Sequence, residues 1–135
     1  MRFLADARDG VLSMVGTDGA PYAVPVNHAV IDGHVVIHCA LRGQKLDNLR
    51  ADARACYTVY TAIEVDPVEL TTRYTSATAF GLAELVDDSV VKAGLLHRMT
   101  EHLAPGAAFG CDAESVARTG VLRIRIDSIS GKANR

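Results

Sequence analysis

A chain of 135 residues with 14 Lys+Arg against 16 Asp+Glu carries a net charge of −2. That length suits one domain, and that balance offers no general attraction to nucleic acid or to an anionic membrane. Three cysteines (Cys39, Cys56 and Cys111), odd in number and without a CxxC pair, argue against a disulfide framework and a zinc site, and no stretch approaches the roughly 18 apolar residues of a membrane span.

The opening MRFLADARDG lacks the apolar core of a signal peptide. The expectation is a single domain over residues 1–135 in a reducing, cytoplasmic setting. In chain order, Arg2 to Asp9 reads as a short helix stopped by Gly10, and 11–16 as a strand before the turn Thr17-Asp18-Gly19. Residues 20–31 and 34–40 read as two strands of a hairpin joined at Asp32-Gly33, a pair suited to the two positive φ angles of a type I′ turn. Gly43 to Asp52 reads as a helix with Leu46 and Leu49 on one face. A β-branched and aromatic strand follows at 55–65, and a long strand at 72–86 contains Gly81. Asp87, Asp88 and Ser89 offer capping oxygens to an amphipathic helix at 88–104 that carries Val90, Val91, Leu95, Leu96, Met99 and Leu103. Pro105-Gly106 stops it. One helical turn at 113–118 precedes a strictly alternating strand at 121–129. The sum is a mainly β chain with flanking helices: six strands suited to a small antiparallel barrel.

Pairing across Asp32-Gly33 sets Ile31 opposite His34, Asn27 opposite His38 and Pro25 opposite Ala40. Alternation then gives one core-like face, with Val24, Val26, His28, Val30, Val35, Ile37 and Cys39. The other face sets Asn27 and His38 beside small residues, an arrangement that serves equally as a surface pair or as a wall for a flat ligand. Pro25 removes a backbone donor, so it belongs at an edge, a bulge or a ligand-facing position. Downstream, the glycine and lysine of His38-Cys39-Ala40-Leu41-Arg42-Gly43-Gln44-Lys45 stand at a strand-to-helix junction. There, unpaired helix N–H groups and an ammonium attract anions.

The run His38–Lys45 with Leu46-Asp47-Asn48-Leu49 after it resembles the pyridoxamine 5'-phosphate-oxidase-like flavoproteins. So do Gly10–Ser13, Asp18–Tyr22 with Val24–Val26, Tyr74–Ser76 before Ala79–Ala83, and Ser130-Gly131-Lys132. The closest resemblance is to the nitroimidazole-resistance group. It implies a six-stranded FMN-binding split barrel that pairs as a homodimer, with cofactor at the interface and a small-molecule substrate. By position it implies that Val24, Pro25, Val26 and Asn27 lie against the isoalloxazine ring. His38, Ala40 and Lys45 would line the ribityl-phosphate side, with their neighbours Cys39 and Leu46 in the same run. Tyr74, Thr75 and Ser76 would add further contacts. The implied activity is an oxidoreductase passing electrons from a reduced nicotinamide through flavin to a small organic acceptor, a nitroaromatic among the candidates; the cofactor carries the chemistry, and no catalytic side chain is assigned. The alternatives are a non-catalytic flavin or haem module, with His28, His34 and His38 near the cleft, and a deazaflavin-dependent reductase. Gln44 stands where the nitroimidazole-resistance group often has His, and the segment before the first strand is shorter than in those relatives.

Other constellations carry less. His34 with His38, and His97 with His102, lack the spacing of a metal site. Ser13 in GVLSMVG is not a nucleophile elbow. Cys39 falls on the apolar face and reads as a structural thiol, and the 88–104 helix reads as a lid on the barrel. Arg123 and Arg125 read as the solvated or interface face of the last strand.

Overall fold

The computed structural model describes residues 1–107 and 112–135; Cys111 lies outside the described residues. Seven strands form one antiparallel sheet: β1 (Asp9–Val15), β2 (Pro21–Asn27), β3 (Ala29–Ile31), β4 (His34–Cys39), β5 (Arg54–Val65), β6 (Thr72–Leu85) and β7 (Gly120–Asn134). The helices are α1 (Arg2–Asp6), α2 (Gln44–Ala51), α3 (Ser89–Leu103) and α4 (Ala113–Arg118). The strand order is β2-β1-β5-β6-β7-β4-β3. The two edge strands are consecutive in the chain with only His28 between them, so the sheet curls into a half-barrel of the split-barrel type. No helix among the described residues is long and apolar enough to cross a membrane.

The count of seven, rather than six, comes from the first arm of the expected hairpin. Residues 29–31 pair with β4 in the expected register, Ile31 opposite His34. The turn has the expected form, with φ 50° at Asp32 and 75° at Gly33. Residues 21–27 pair instead with β1, so Asn27 stands opposite Asp9, and His38 stands opposite Val121 of β7. The break falls at His28, whose N–H donates to the Arg8 carbonyl and whose buried ring turns into the barrel. The period-two pattern runs unbroken through His28, which is why the switch of partners leaves no mark in it. Helix α1 is also shorter than expected: Asp9 and Gly10 already belong to β1.

The interior side of the barrel is the expected apolar face. Val35 and Ile37 are fully buried with Leu12, Tyr57, Leu122 and Ile124, and Val24, Val26, Val30 and Cys39 pack against them. The opposite face of β3 and β4 is not an open wall. Ala29, Ile31 and Val36 are buried beneath Leu95, Leu96 and Met99 of α3, which acts as the expected lid. Asp88 caps α3, its carboxylate accepting from the amides of Val90 and Val91, whose own side chains are exposed. Lys92 is buried and its Nζ donates to the Thr119 carbonyl at 2.9 Å.

Strands β6 and β7 approach each other closely where β7 bulges: Phe80 faces Ser128 while the next residue, Gly81, faces Ile126. A Cβ at Gly81 would stand 1.7 Å from the Arg125 carbonyl oxygen, so only glycine fits.

Candidate functional site

The junction after β4 is the glycine-led start of α2. Gly43 caps α2 with φ 153°, a conformation side chains rarely adopt, and offers no capping side chain. The first bond inside α2 runs from the Asp47 amide to the Gly43 carbonyl at 3.2 Å. The amides of Gln44, Lys45 and Leu46 are thereby left without an intrahelical acceptor. Lys45 is half-buried in that first turn and forms no salt bridge among the described residues. Its ammonium acts on Cys39 across the junction: burial pushes that thiol's pKa up, and Lys45 pulls it partly back. Asp47 in the same turn is exposed and works against an anion.

Helix α2 is fixed to the barrel by Asn48. Its buried Oδ1 accepts from the Thr17 amide at 3.1 Å and from Gln44 Nε2 at 2.6 Å, which holds the first turn of α2 against the β1–β2 turn. Asn48 Nδ2 is buried without a partner among the described residues. Asn48 carries no signal of this role in the sequence beyond an amide at a buried helical position.

The other expected contacts fall into distinct places. Pro25 and Asn27 are exposed on β2, whereas Val24 and Val26 turn toward the core and offer only their backbone. The side chains of Cys39 and Leu46 are likewise taken up by the core. His38 and Ala40 are exposed. His38 stands at the mouth of an apolar cleft of about 300 Å³ lined by Leu96, Met99, Thr100 and Leu103. Tyr74, Thr75 and Ser76 are half-buried on β6. The ladders show that one chain does not gather all of these. His38 is level with Val121 of β7 and Ser76 with Lys132, eleven residues further along that strand. Their separation along the strand is about 36 Å.

Of two clefts on the outer sheet face, the first had no sequence signal and the second includes Pro25, which the sequence marks as an edge, bulge or ligand-facing position. One, of about 280 Å³, is lined by Ser13, Val15, Arg54, Cys56 and Phe80. The other, of about 250 Å³, lies between Asp9, Val11, Pro25 and Tyr60. Both depend on which strands become neighbours, which a single strand's pattern does not specify. Among the described residues no group of three or more His, Cys, Asp or Glu side chains could hold a metal ion, and Cys39 and Cys56 are unpaired thiols.

Solved structures share this architecture. A candidate 5-nitroimidazole antibiotic resistance protein from Bacteroides thetaiotaomicron VPI-5482 superposes with a TM-score of 0.86 at 20% identity, over 96% of this chain and 79% of that one. An FAD and heme binding protein from Mycobacterium smegmatis gives 0.80 at 27% identity, over 98% and 68%. An FAD-binding protein from Mesorhizobium loti gives 0.69 at 25% identity, over 99% and 91%. No curated protein matches the chain. The model of the pyridoxamine 5'-phosphate oxidase family matches residues 1–133, and the chain belongs to that family.

Proposed function

We propose that this protein binds FMN and works as a flavin-dependent oxidoreductase, taking electrons from a reduced nicotinamide and passing them to a small organic acceptor. The observation that carries the reading is the uncapped first turn of α2 with Lys45 in it. Three amides without an intrahelical acceptor and an ammonium that forms no salt bridge among the described residues suit a phosphomonoester. The wall is β2, where Pro25 and Asn27 are exposed and the alternate residues leave backbone groups for the edge of a ring. A bound flavin supplies the electron chemistry; the chain's share is to hold the phosphate, to place the ring and to exclude water. Similar solved proteins that bind flavins by name support a flavin over other phosphorylated ligands.

A second copy of the chain completes the site in this reading, because Tyr74–Ser76 and the His38–Lys45 run lie far apart along β7. The purified protein is expected to show flavin absorbance, or to acquire it on titration with FMN. Protein that is colourless and remains so after adding FMN overturns the proposal.

Haem is the second reading. His38 is exposed at the mouth of the apolar cleft, and one similar solved protein binds both FAD and haem. A Soret band on haem titration, lost in His38→Ala and formed without FMN binding, would favour it.

A further inference from the structure

Beneath the β2 wall, two acceptors compete for one hydroxyl proton. The Tyr57 hydroxyl lies 2.7 Å from His28 Nδ1 and 3.1 Å from the Val26 carbonyl oxygen. His28 Nε2 lies 2.9 Å from the Leu4 carbonyl, which only accepts, so Nε2 keeps a proton in every state. The two rings are fully buried and packed edge to face at 4.6 Å, which leaves the hydroxyl proton as the part free to turn. Burial pushes the Tyr57 phenol's pKa up, and Asp9 adds to it, so an added proton goes to His28.

These contacts give two complete arrangements. With His28 neutral, Tyr57 donates to Nδ1, and the Val26 carbonyl receives nothing from it. With His28 protonated, Nδ1–H donates to the phenol oxygen, and the phenol turns its own proton onto Val26. The charged groups acting on the ring are His102 of α3, which opposes the proton, and Asp9 of β1, which favours it. Helix α1 presents the Leu4 carbonyl and β5 the Tyr57 hydroxyl.

Val26 is where this switch meets the proposed ligand wall. The His28 amide donates to Arg8 and the Gly16 amide to Ala20, and these two bonds bracket the β1–β2 ladder and fix its phase. Val26, two residues before His28 and opposite Gly10, therefore turns its carbonyl across to β1. The same trans peptide unit points the Asn27 N–H the other way, out of the free side of an edge strand. A hydrogen bond accepted at Val26 polarises that unit and strengthens Asn27 as a donor. The phenol reaches the ladder because residue 10 is glycine: a Cβ there would stand 2.8 Å from the Tyr57 ring.

We propose that His28 and Tyr57 are positioning residues that couple a proton inside the barrel to the ligand seat on β2. A ligand presenting a hydrogen-bond acceptor to the Asn27 N–H is held more tightly when His28 is charged. By linkage, such a ligand raises the midpoint of His28 by the matching amount. The ligand half of the proposal rests on β2 being the ring wall of the function reading, whereas the switch operates without any ligand.

The test titrates the isotope-labelled full chain from pH 8 to 4 by NMR. Without ligand, the Val26 carbonyl carbon should move downfield with the midpoint of the His28 imidazole. Val24, in the same phase of the ladder but with no bond from Tyr57, should stay in place, and Tyr57→Phe should abolish the movement at Val26. Riboflavin is the ligand probe, because the phosphate of FMN itself titrates at about pH 6. It should bind roughly threefold more tightly below the His28 midpoint than above it, and raise that midpoint by about 0.5. In His28→Gln its affinity should not change across the range. Both measurements on the parent decide the matter even where a variant fails to fold. A Val26 carbonyl that ignores the His28 titration overturns the proposal, as does riboflavin binding that leaves the His28 midpoint unmoved. If Val26 follows His28 but neither riboflavin nor FMN binds, the switch stands and the flavin reading falls.

Discussion

The Tyr57 hydroxyl lies 2.7 Å from Nδ1 of His28, and both side chains are fully buried at the seam where β2 ends and β3 begins. The other ring nitrogen, Nε2, is 2.9 Å from the Leu4 carbonyl, which can only accept. The neutral ring with its proton on Nε2 satisfies both contacts, Tyr57 donating to Nδ1 in preference to the Val26 carbonyl, which lies 3.1 Å from the same hydroxyl. One histidine thus fastens α1 to the barrel and closes the break between the two edge strands. Tyr57→Phe leaves Nδ1 buried without a donor and should lower unfolding stability by about 1–3 kcal/mol in urea titrations at neutral pH. Unchanged stability would mean the bond contributes nothing.

Acid should loosen the same seam. Burial lowers the pKa of His28; the Leu4 hydrogen bond opposes this, His102 adds to it and Asp9 opposes it. The unfolded chain therefore takes up a proton on this residue at higher pH than the folded one does. Its contribution to stability is complete above about pH 6.5, is lost as the pH falls toward the lowered folded value, and does not change further below that. Following the His28 imidazole by NMR from pH 8 to 4 should give a midpoint below 6.5. A midpoint at or above 6.5 refutes this account of the seam.

Gly81→Ala should be among the most damaging single-methyl changes available. The added Cβ meets a backbone oxygen at 1.7 Å, so the β6–β7 ladder must part to admit it. The expected loss exceeds the roughly 1–3 kcal/mol typical of overpacking, read as a fall in melting temperature. An alanine variant as stable as the parent would show that the bulge yields easily.

How far the fold was readable follows from which patterns are local. The Asp32-Gly33 turn, the Asp88 cap and the inward set Val24, Val26, Val35 and Ile37 are written in neighbouring residues, and all are present. The partner switch at His28 is not, because alternation is the same whether a strand pairs with β1 or with β4. The same limit applies to the site. Gly43 and Lys45 announce a helix start wherever the helix packs. By contrast, the burial of Leu46 and the distance between His38 and Ser76 depend on the order of strands across the sheet. The Cys56–Phe80 cleft is set by three neighbouring strands and had no counterpart in any one of them.

Cys39 should react slowly for a thiol beside a lysine. Burial raises its pKa above the ordinary value, and this outweighs the opposing pull of Lys45. Residue-resolved mass spectrometry after brief iodoacetamide treatment at pH 7.5 is expected to show Cys39 alkylated at least tenfold more slowly than glutathione. Equal rates would mean that the thiol is open to solvent and ionised more readily than its place in the core allows.

Lys45 separates the phosphate from the rest of a flavin. Its ammonium stands in the uncapped first turn of α2, whereas the proposed ring wall is on β2, so the two ends of the ligand can be tested independently. A charged hydrogen bond to phosphate contributes about 1.5–3 kcal/mol, or roughly 10- to 150-fold in affinity. Lys45→Ala should weaken FMN binding by that factor and leave riboflavin, which lacks the phosphate, within about twofold of the parent. Raising salt from 50 to 300 mM should reduce the parent's preference for FMN over riboflavin, and should do so less in the variant. Equal losses for both flavins would place Lys45 under the ring or in the fold, and the α2 turn would then not be the phosphate site.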